Sequence, residues 1–393
     1  MKKLFIAAFI LVSTFTTNIF AEVKMGIILG FTGPIESLTP AMAASAELAF
    51  KEASDSGSLL GGETITVIRA DSTCVDSAAA TAAAEGVISQ GVVAIMGADC
   101  SGVTGAIASN VAVPNGVVMI SPSATSPGLT ELADKGLFFR TAPSDKRGGQ
   151  VLADATKDKR IKSVAITYTA NDYGKGLADM YKLGLESHGI KVTAELKHED
   201  GKADYSSEVA TLASAGGDAL AVLGYLDQGG KGIIQASLDS GAFDTFVLGD
   251  GMVGQSLVDT FGKQLKKSIA TRPGSTGKGA NIFASVAGAV NIDPDAPYTA
   301  SSYDAAALLV LAIQAGGSAD RASIAKNVMV VANGPGTKIY PGELKKGLDL
   351  LAKGKKVDYE GATGVSFTSV GEAEGSFLEK EIKGGKFKNK KQR

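Results

Sequence analysis

The segment VVAIMGADCSGVTGAIASNVAVPNGVVMISPSATSPG, residues 92–128, contains two short apolar runs separated by a longer stretch of small and polar residues. The runs VVAIMG (92–97) and GVVMIS (116–121) are continuous rather than alternating, which is typical of strands covered on both faces. The stretch between them is predicted to be a helix that starts at Ser101. A strand, a helix and a strand in this order predict a right-handed crossover and a parallel sheet.

The same alternation of strand and helix continues on both sides of this segment. Further apolar runs are predicted as strands at 23–30, 64–70, 163–169, 191–196, 218–225 and 245–250, with helix-patterned stretches between them. Because the alternation restarts after FFRTAPSD (138–145), two similar α/β halves in tandem account best for a chain of 393 residues.

The C-terminal third is less regular. Residues 272–296 contain prolines and many glycines, which predicts a connection rather than core. Residues 364–369 and 375–382 are predicted as two late strands joined by a turn. The basic tail 387–393 is predicted to be a solvated end rather than an interaction arm.

Composition excludes several classes of function. The chain has 39 basic and 41 acidic residues, so its formal charge of −2 gives no basic footprint for nucleic acid. Two histidines, His188 and His198, cannot build a histidine-rich metal site, and both are predicted at the surface. The sequence has no Gly-x-Ser-x-Gly motif, and SIAK (323–326) lacks the motifs that accompany a catalytic Ser-x-x-Lys. We therefore expect no catalytic residues, no metal and no cofactor.

The N-terminus has the pattern of a secretory signal peptide. A basic head, the apolar run LFIAAFILV (4–12) and the small residue Ala21 predict cleavage after residue 21. An uncleaved membrane anchor is the alternative, but nine apolar residues are fewer than the ~20 needed to span a bilayer. No cysteine follows the run, so no lipid anchor is expected. The predicted signal peptide implies that the mature protein is soluble and located in the periplasm.

Export bears on the oxidation state of Cys74 and Cys100, the two cysteines of the chain. In an oxidising compartment they are most simply one disulfide. A pair of buried free thiols is the alternative.

Hydroxyl, aromatic and acidic residues follow several predicted strands. Ser101, Ser123 and Thr125 follow the two strands of the opening segment, where helix-start amides and hydroxyls suit a carboxylate. Ordinary helix capping is the alternative for each loop. Tyr173, Tyr225 and Asp250 follow strands of the second half, and the carboxylate of Asp250 can pair with a ligand cation. A turn aspartate is the alternative there. Together the two sets would suit a zwitterion.

Seven segments resemble, in the same order, the type I periplasmic solute-binding proteins of ABC transporters, in particular the leucine/isoleucine/valine-binding group. These segments are ILGFTGPIESL (28–38), ADCSG (98–102), MISPSATSP (119–127), FFRTAPSD (138–145), NDYGKGLAD (171–179), YTASSYDAAALL (298–309) and DYEGATGVSF (358–367). The resemblance implies two Rossmann-like parallel-sheet lobes joined by three hinge crossings, near 141–143, 272–273 and 359–361. Residues 22–142 and 272–357 would form lobe 1, and residues 143–271 and 358–386 lobe 2.

The resemblance also implies a ligand and its contacts. An amino acid's α-carboxylate would lie on Ser101 and Thr125, with Ser123 and Ala124 beside it. Tyr173 and Tyr225 would close over the ligand, and Asp250 would accept the α-ammonium. Two positions depart from the family: Leu38 stands where an aromatic residue often lines the site, and Asp250 stands where glutamate is common.

The sequence thus predicts a monomeric periplasmic protein that binds a small aliphatic or branched-chain amino acid and delivers it to an ABC permease and ATPase. A binding protein for an amide, urea or small organic acid is one alternative, and a ligand sensor for a receptor is another. An exported hydrolase is disfavoured because no nucleophile and base pair is evident.

Overall fold

The computed structural model describes residues 22–393, so the predicted signal peptide at 1–21 lies outside the described residues. Within that range no helix combines the length and the apolar character needed to cross a membrane. The chain folds into two α/β lobes, each built around its own sheet.

The first lobe contains a five-stranded parallel sheet with the strand order β2-β1-β3-β4-β5. Its strands are β1 (Glu22–Leu29), β2 (Thr64–Asp71), β3 (Ala94–Gly97), β4 (Val118–Ser121) and β5 (Phe138–Arg140). The intervening helices are α1 (Thr39–Asp55), α2 (Ser77–Ser89) and α3 (Ser101–Ile107). Every residue of β3 and β4 is buried, as their unbroken apolar sequences predict.

The second lobe contains a seven-stranded mixed sheet with the order β14-β13-β10-β9-β8-β6-β7. Its strands are β6 (Ser163–Thr169), β7 (Lys191–His198), β8 (Ala219–Leu223), β9 (Phe246–Leu248), β10 (Ile269–Pro273), β13 (Phe377–Lys383) and β14 (Lys386–Gln392). Its helices are α4 (Asp145–Asp158), α5 (Asp172–Ser187), α6 (Ser206–Ala215), α7 (Lys231–Ser240) and α8 (Gln255–Phe261). The strands β6 to β10 pair in parallel, and β13 and β14 are antiparallel additions at one edge.

The remaining elements return to the first lobe. They are α9 (Lys278–Gly288), α10 (Thr299–Gly316), α11 (Arg321–Ala332), α12 (Leu344–Ala352) and the small parallel pair β11 (Thr337–Ile339) and β12 (Val357–Tyr359). Helix α10 packs against α1, β3 and β4. The chain therefore passes between the lobes three times, after β5, β10 and β12, while the exact segment boundaries stay a prediction.

Three expectations for the C-terminal third are wrong. Helix α9 lies inside the stretch predicted as an irregular connection, and it forms because Phe283 and Ala287 are buried on one of its faces. Residues 364–369 do not pair with 375–382. Instead β13 pairs with β10 and β14, because the second sheet offers it an open edge.

The basic tail 387–393 is exposed, but it is not an unstructured end either, since most of it forms strand β14. Its basic residues are held by acidic partners: Lys390 lies 2.7 Å from Glu379, whose side chain is 1% exposed, and Arg393 also bonds Glu379. Because a buried carboxylate is costly without a cation, these pairs hold the tail against β13.

The predicted disulfide is confirmed. Cys74 and Cys100 are bonded, with their Cα atoms 5.2 Å apart. Cys74 lies after β2 and Cys100 between β3 and α3, so the bond joins two loops at the carboxyl ends of first-lobe strands.

The prediction that both histidines lie at the surface is wrong for His198. This residue ends β7 and is 1% exposed. Its Nδ1 atom lies 2.8 Å from the Thr167 hydroxyl, while Nε2 has no partner among the described residues. Burial lowers the pKa of His198 to about 4.

Opening the disulfide should destabilise the first lobe. In the loop-entropy view, a bridge across 26 residues contributes about 3–4 kcal/mol. Urea unfolding of the ligand-free protein with and without reductant measures this loss in the free energy of unfolding. The double variant Cys74→Ser/Cys100→Ser should show the loss without reductant and no further change with it. Equal stability of all four samples would contradict the prediction.

His198 should make the protein less stable in acid. An unfolded histidine takes up a proton below about pH 6.5, whereas His198 in the fold does so only near pH 4. Protonation between these values therefore favours the unfolded chain. From pH 7 to pH 4.5, the wild type should lose about 2–3 kcal/mol more free energy of unfolding than His198→Asn. Urea unfolding at both pH values tests this, and an equal loss in both proteins would contradict it.

Candidate functional site

The predicted site residues meet in a small cavity between the lobes, at the carboxyl ends of strands from both sheets. Six of the eight predicted ligand residues line it: Leu38, Ser101, Ser123, Tyr173, Tyr225 and Asp250. Its volume is about 20 Å³, enough for about one water molecule. The structure thus shows the two lobes closed on each other.

Ser101 connects the two hydroxyl-rich loops of the first lobe. It is the first residue of α3, as predicted, and Cys100 occupies the N-cap position. The Ser101 hydroxyl accepts a hydrogen bond from the Ser126 amide at 3.1 Å. Since no side chain caps α3, capping does not explain the choice of serine here.

Asp99, which sequence reasoning missed, holds this wall in place. The carboxylate is 2% exposed and accepts hydrogen bonds from the Gly30 amide at 2.6 Å, the Cys100 amide at 2.9 Å and the Ser72 hydroxyl at 3.1 Å. Burial raises the pKa of Asp99. Its place just before Cys100 was the one signal available in the sequence.

The loop after β4 carries the other first-lobe candidates. The Ser123 hydroxyl donates its proton to the Asp99 carbonyl at 3.0 Å, and the residue lines the cavity. Ala124 and Thr125 lie just behind the lining, and both are fully buried. The Ala124 carbonyl accepts from the Arg140 guanidinium at 3.1 Å, and the Thr125 hydroxyl has no hydrogen-bond partner among the described residues.

Asp250 is the buried carboxylate of the second-lobe wall. It is 6% exposed and accepts a hydrogen bond from the Tyr173 hydroxyl at 2.6 Å. A second hydroxyl, that of Tyr298, donates to its other oxygen. Burial raises the pKa of Asp250, and the tyrosine hydroxyls oppose this by stabilising the charged form.

Tyr173 and Tyr225 form one aromatic wall. Their rings are stacked, with centroids 5.1 Å apart and planes 16° from parallel. Tyr173 also accepts from the Gly251 amide at 3.0 Å, so its hydroxyl is fixed next to Asp250. Gly249 and Gly251 flank that carboxylate, and a Cβ at Gly251 would lie 2.7 Å from the Gly224 carbonyl. The two glycines therefore let the Asp250 loop approach Tyr173 closely.

Sequence reasoning also missed Tyr298 and Asp145. Tyr298 precedes α10 with φ of 61°, and it reaches from the first lobe to Asp250 in the second. Asp145, the first residue of α4, is 2% exposed, and its Oδ2 atom has no partner among the described residues. Burial and the neighbouring Asp250 raise its pKa well above the usual range. Both residues lie in segments quoted for the family resemblance, but nothing local marked them as site residues.

Direct contacts between the lobes surround the cavity. The Asp227 carboxylate accepts from the Ser37 amide at 3.0 Å, and the Asp227 amide donates to the Pro34 carbonyl at 2.8 Å. Leu38 packs across the cleft against Gly254, where an added Cβ would lie 3.0 Å from the leucine side chain. These contacts hold the lobes together beside the site.

Comparisons with known proteins agree with the two-lobed fold. The sequence model described as periplasmic binding protein matches residues 22–365. Leu/Ile/Val-binding protein homolog 1 of Brucella melitensis is 32% identical over 321 residues, which are 80% of this chain and 84% of that protein.

Two solved structures share the fold. The leucine-binding protein LivK of Thermotoga maritima superposes with a TM-score of 0.79 at 24% identity, covering 94% of this chain and 98% of its own. The branched-chain amino acid transporter substrate-binding protein LivJ of Streptococcus pneumoniae, in complex with isoleucine, superposes with a TM-score of 0.78 at 23% identity, covering 95% and 99%. Both are type I, two-lobed α/β proteins, as the sequence predicts for this one. Because the family match spans most of the described residues, the chain belongs to the periplasmic binding protein family.

Proposed function

We propose that this protein is the substrate-binding component of an ABC importer and that it binds a small aliphatic or branched-chain amino acid. The observation that carries the proposal is the buried carboxylate of Asp250 facing the hydroxyls of Ser101 and Ser123 across one cavity. A buried carboxylate favours a cationic partner, and hydroxyls favour an anion. The relative at 32% identity is named a Leu/Ile/Val-binding protein homolog, which supports the same ligand class.

The charged groups of the amino acid, its α-ammonium and α-carboxylate, bind to opposite lobes and so set the orientation of the ligand. Its α-ammonium binds Asp250, and its α-carboxylate accepts a hydrogen bond from the Ser101 hydroxyl, whose proton is not used in the bond from the Ser126 amide. Ser123 is a neighbouring contact. Thr125 lies behind this position; its buried hydroxyl neighbours the Asp145 carboxyl and would turn to the ligand's carboxylate. The Ala124 backbone belongs to the same loop.

The ligand's side chain lies against the apolar part of the lining. Leu38 and Ile35, both 6% exposed, supply it from the first lobe. Leucine at position 38 packs on an aliphatic side chain without the stacking surface of an aromatic residue. The stacked Tyr173 and Tyr225 rings cover the opposite side.

Binding proceeds by hinge closure. A cavity of about 20 Å³ cannot hold an amino acid, so the ligand enters when the lobes are apart, and the lobes then close around it less tightly than in this structure. On closing, the ligand's ammonium takes over an Asp250 oxygen that the Tyr298 hydroxyl occupies in this structure. The ligand shifts the population toward the closed form because contacts on both lobes exist only there.

The remaining parts of the proposal follow from this role. A periplasmic or extracellular location agrees with the family, and the N-terminal sequence pattern supports export to the periplasm, where the protein hands its ligand to a permease and ATPase complex. It acts as a monomer, without cofactor, metal or nucleic acid, and it binds its ligand without reacting with it.

Asp250→Asn should remove tight amino-acid binding. The amide keeps the size of the side chain but cannot neutralise the ligand's ammonium. The affinity for leucine should fall about 100-fold or more, because loss of one partner of a buried ion pair costs about 3–5 kcal/mol. Isothermal titration calorimetry with leucine, isoleucine and valine measures the loss.

The matched control is Asp244→Asn, which removes an exposed aspartate of the same lobe that pairs with Lys267. It should bind as the wild type does, and both variants should keep the wild-type circular dichroism spectrum. If Asp250→Asn binds leucine unchanged, or if the wild type binds urea, acetamide or benzoate rather than any amino acid, the ammonium role is refuted.

Asp227→Ala should weaken ligand binding although Asp227 does not line the cavity. This carboxylate accepts the Ser37 amide across the cleft, so its loss destabilises the closed form. We expect an affinity lower by about 5-fold, the equivalent of ~1 kcal/mol for one partly exposed hydrogen bond, with the same ranking of ligands. Small-angle scattering of the ligand-free protein should show a larger radius of gyration.

The control for this experiment is Lys231→Ala. Lys231 pairs with Asp227 at 3.1 Å within the second lobe, so its removal leaves the bond between the lobes intact. Equal effects of the two variants on affinity and on scattering would show that Asp227 acts within its own lobe and not on closure.

A further inference from the structure

A second cavity, of about 380 Å³, lies between the lobes on the other side of Leu38. Leu38 lines both this cavity and the small one that holds Asp250. The first-lobe wall of the larger cavity comes from Ser37 and the loop before α10. Its second-lobe wall comes from Val253–Gln255, β13 and β14. The two spaces are therefore neighbours separated by one aliphatic side chain.

Lys380 of β13 is the unusual residue of this lining. It is 2% exposed, although lysine is almost never fully buried without a partner. Its neighbour in the strand, Glu379, points to the opposite face and pairs with Lys390 and Arg393. Lys380 itself forms no hydrogen bond or salt bridge through its ammonium group with any residue from 22 to 393.

A second buried cation lies on the same face of the sheet. Arg272 of β10 is 7% exposed and stands opposite Leu378, two residues from Lys380, which makes it a diagonal neighbour. The Arg272 guanidinium donates to the carbonyls of Pro273 and Asp295, and its Nε atom has no partner within the described chain. Neither cation has a carboxylate bonded to it.

The charged groups around Lys380 differ in how strongly they affect its pKa. Burial and Arg272 lower the pKa of Lys380 to about 7, whereas Asp295 and Asp293 oppose this shift. Those two aspartates are exposed, as are Lys386 and Lys388 on the β14 wall. Water screens the exposed charges of the rim strongly, so the buried Arg272 affects Lys380 more than they do.

An aliphatic residue at position 380 would cost less than a lysine with no partner. A carboxylate that arrives with the ligand would be the missing partner, and this would explain why position 380 is a lysine. We propose that this cavity is a second compartment of the ligand site, in which Lys380 binds a carboxylate at the far end of an amino-acid side chain that passes Leu38.

The proposal extends the proposed function and rests on it for the α-ammonium and α-carboxylate contacts. Leu38, in place of a bulkier aromatic residue, leaves the passage between the two compartments narrow but aliphatic. The protein would then accept amino acids with an acidic side chain in addition to aliphatic ones.

A ligand series tests this directly. Aspartate, glutamate, 2-aminoadipate and 2-aminopimelate carry a carboxylate at increasing distance from the α-carbon, and norleucine is the neutral reference. We expect the wild type to bind one of the longer acidic members, and Lys380→Met to weaken that ligand about 10-fold or more, as for a hydrogen bond to a charged group. Norleucine should change by less than about 2-fold.

Lys383→Met is the matched control. Lys383 is an exposed residue at the end of the same strand and is not part of the cavity lining, so its replacement should leave every affinity unchanged. Lys380→Met should unfold at or above the wild-type temperature, because it removes an unpaired buried charge.

The failures of the two proposals are distinguishable. If leucine binds and no acidic amino acid does, or if Lys380→Met weakens all ligands equally, the second compartment is refuted while the proposed function stands. If no α-amino acid binds at all, the proposed function fails. Glutarate, which has two carboxylates and no amine, then probes the cavity alone: Lys380-dependent binding in a thermal-shift titration supports the compartment, and its absence overturns it.

Discussion

The carboxylate of Asp250 is the group on which the closed structure depends. A lone carboxylate buried to this extent would cost several kcal/mol or take up a proton. It is satisfied instead by hydroxyls from both lobes, Tyr173 beside it and Tyr298 across the cleft. The Oδ2 atom that Tyr298 holds across the cleft is the one that the ligand's ammonium would take over in the proposed complex. The ligand therefore replaces one contact between the lobes with its own contacts to both lobes, and this links recognition to closure.

That coupling needs a rigid wall on the opposite side. The first-lobe wall is fixed by Asp99, which joins the loops after β1, β2 and β3 through Gly30, Ser72 and Cys100. The disulfide crosses between two of the same loops. The Ser101 and Ser123 hydroxyls thus start from defined positions, and little conformational entropy remains to be lost there when a ligand binds. The contact between Tyr298 and Asp250, by contrast, forms only when the lobes meet.

The sequence predicted what depends on local pattern. The strands of the opening segment are correct because a continuous apolar run is buried wherever it lies in a parallel sheet. Ser101 and Asp250 were identified because residues at the carboxyl ends of such strands share one edge. Thr125 was expected in the lining and lies behind it, since a shift of one or two residues along a loop is not encoded in the pattern.

What the sequence did not predict depends on partners far away in the chain. Tyr298 meets Asp250 only because the chain returns to the first lobe after β10, and that route follows from the packing of α10 on α1. The late strands were paired wrongly because the second sheet, rather than a local turn, supplies the partner of β13.

The C-terminal strands connect these observations. The lysines of β14 bring exposed charge to the edge of the sheet, which protects an open edge from pairing with other chains. Its pairs with the buried Glu379 fix the register of β13. Since successive residues of a strand point to opposite faces, neutralising Glu379 on one face commits Lys380 to the other, where the cleft lies. Position 380 therefore faces the cleft because of how the basic tail is anchored, and a ligand carboxylate would give its lysine the partner that the fold does not supply.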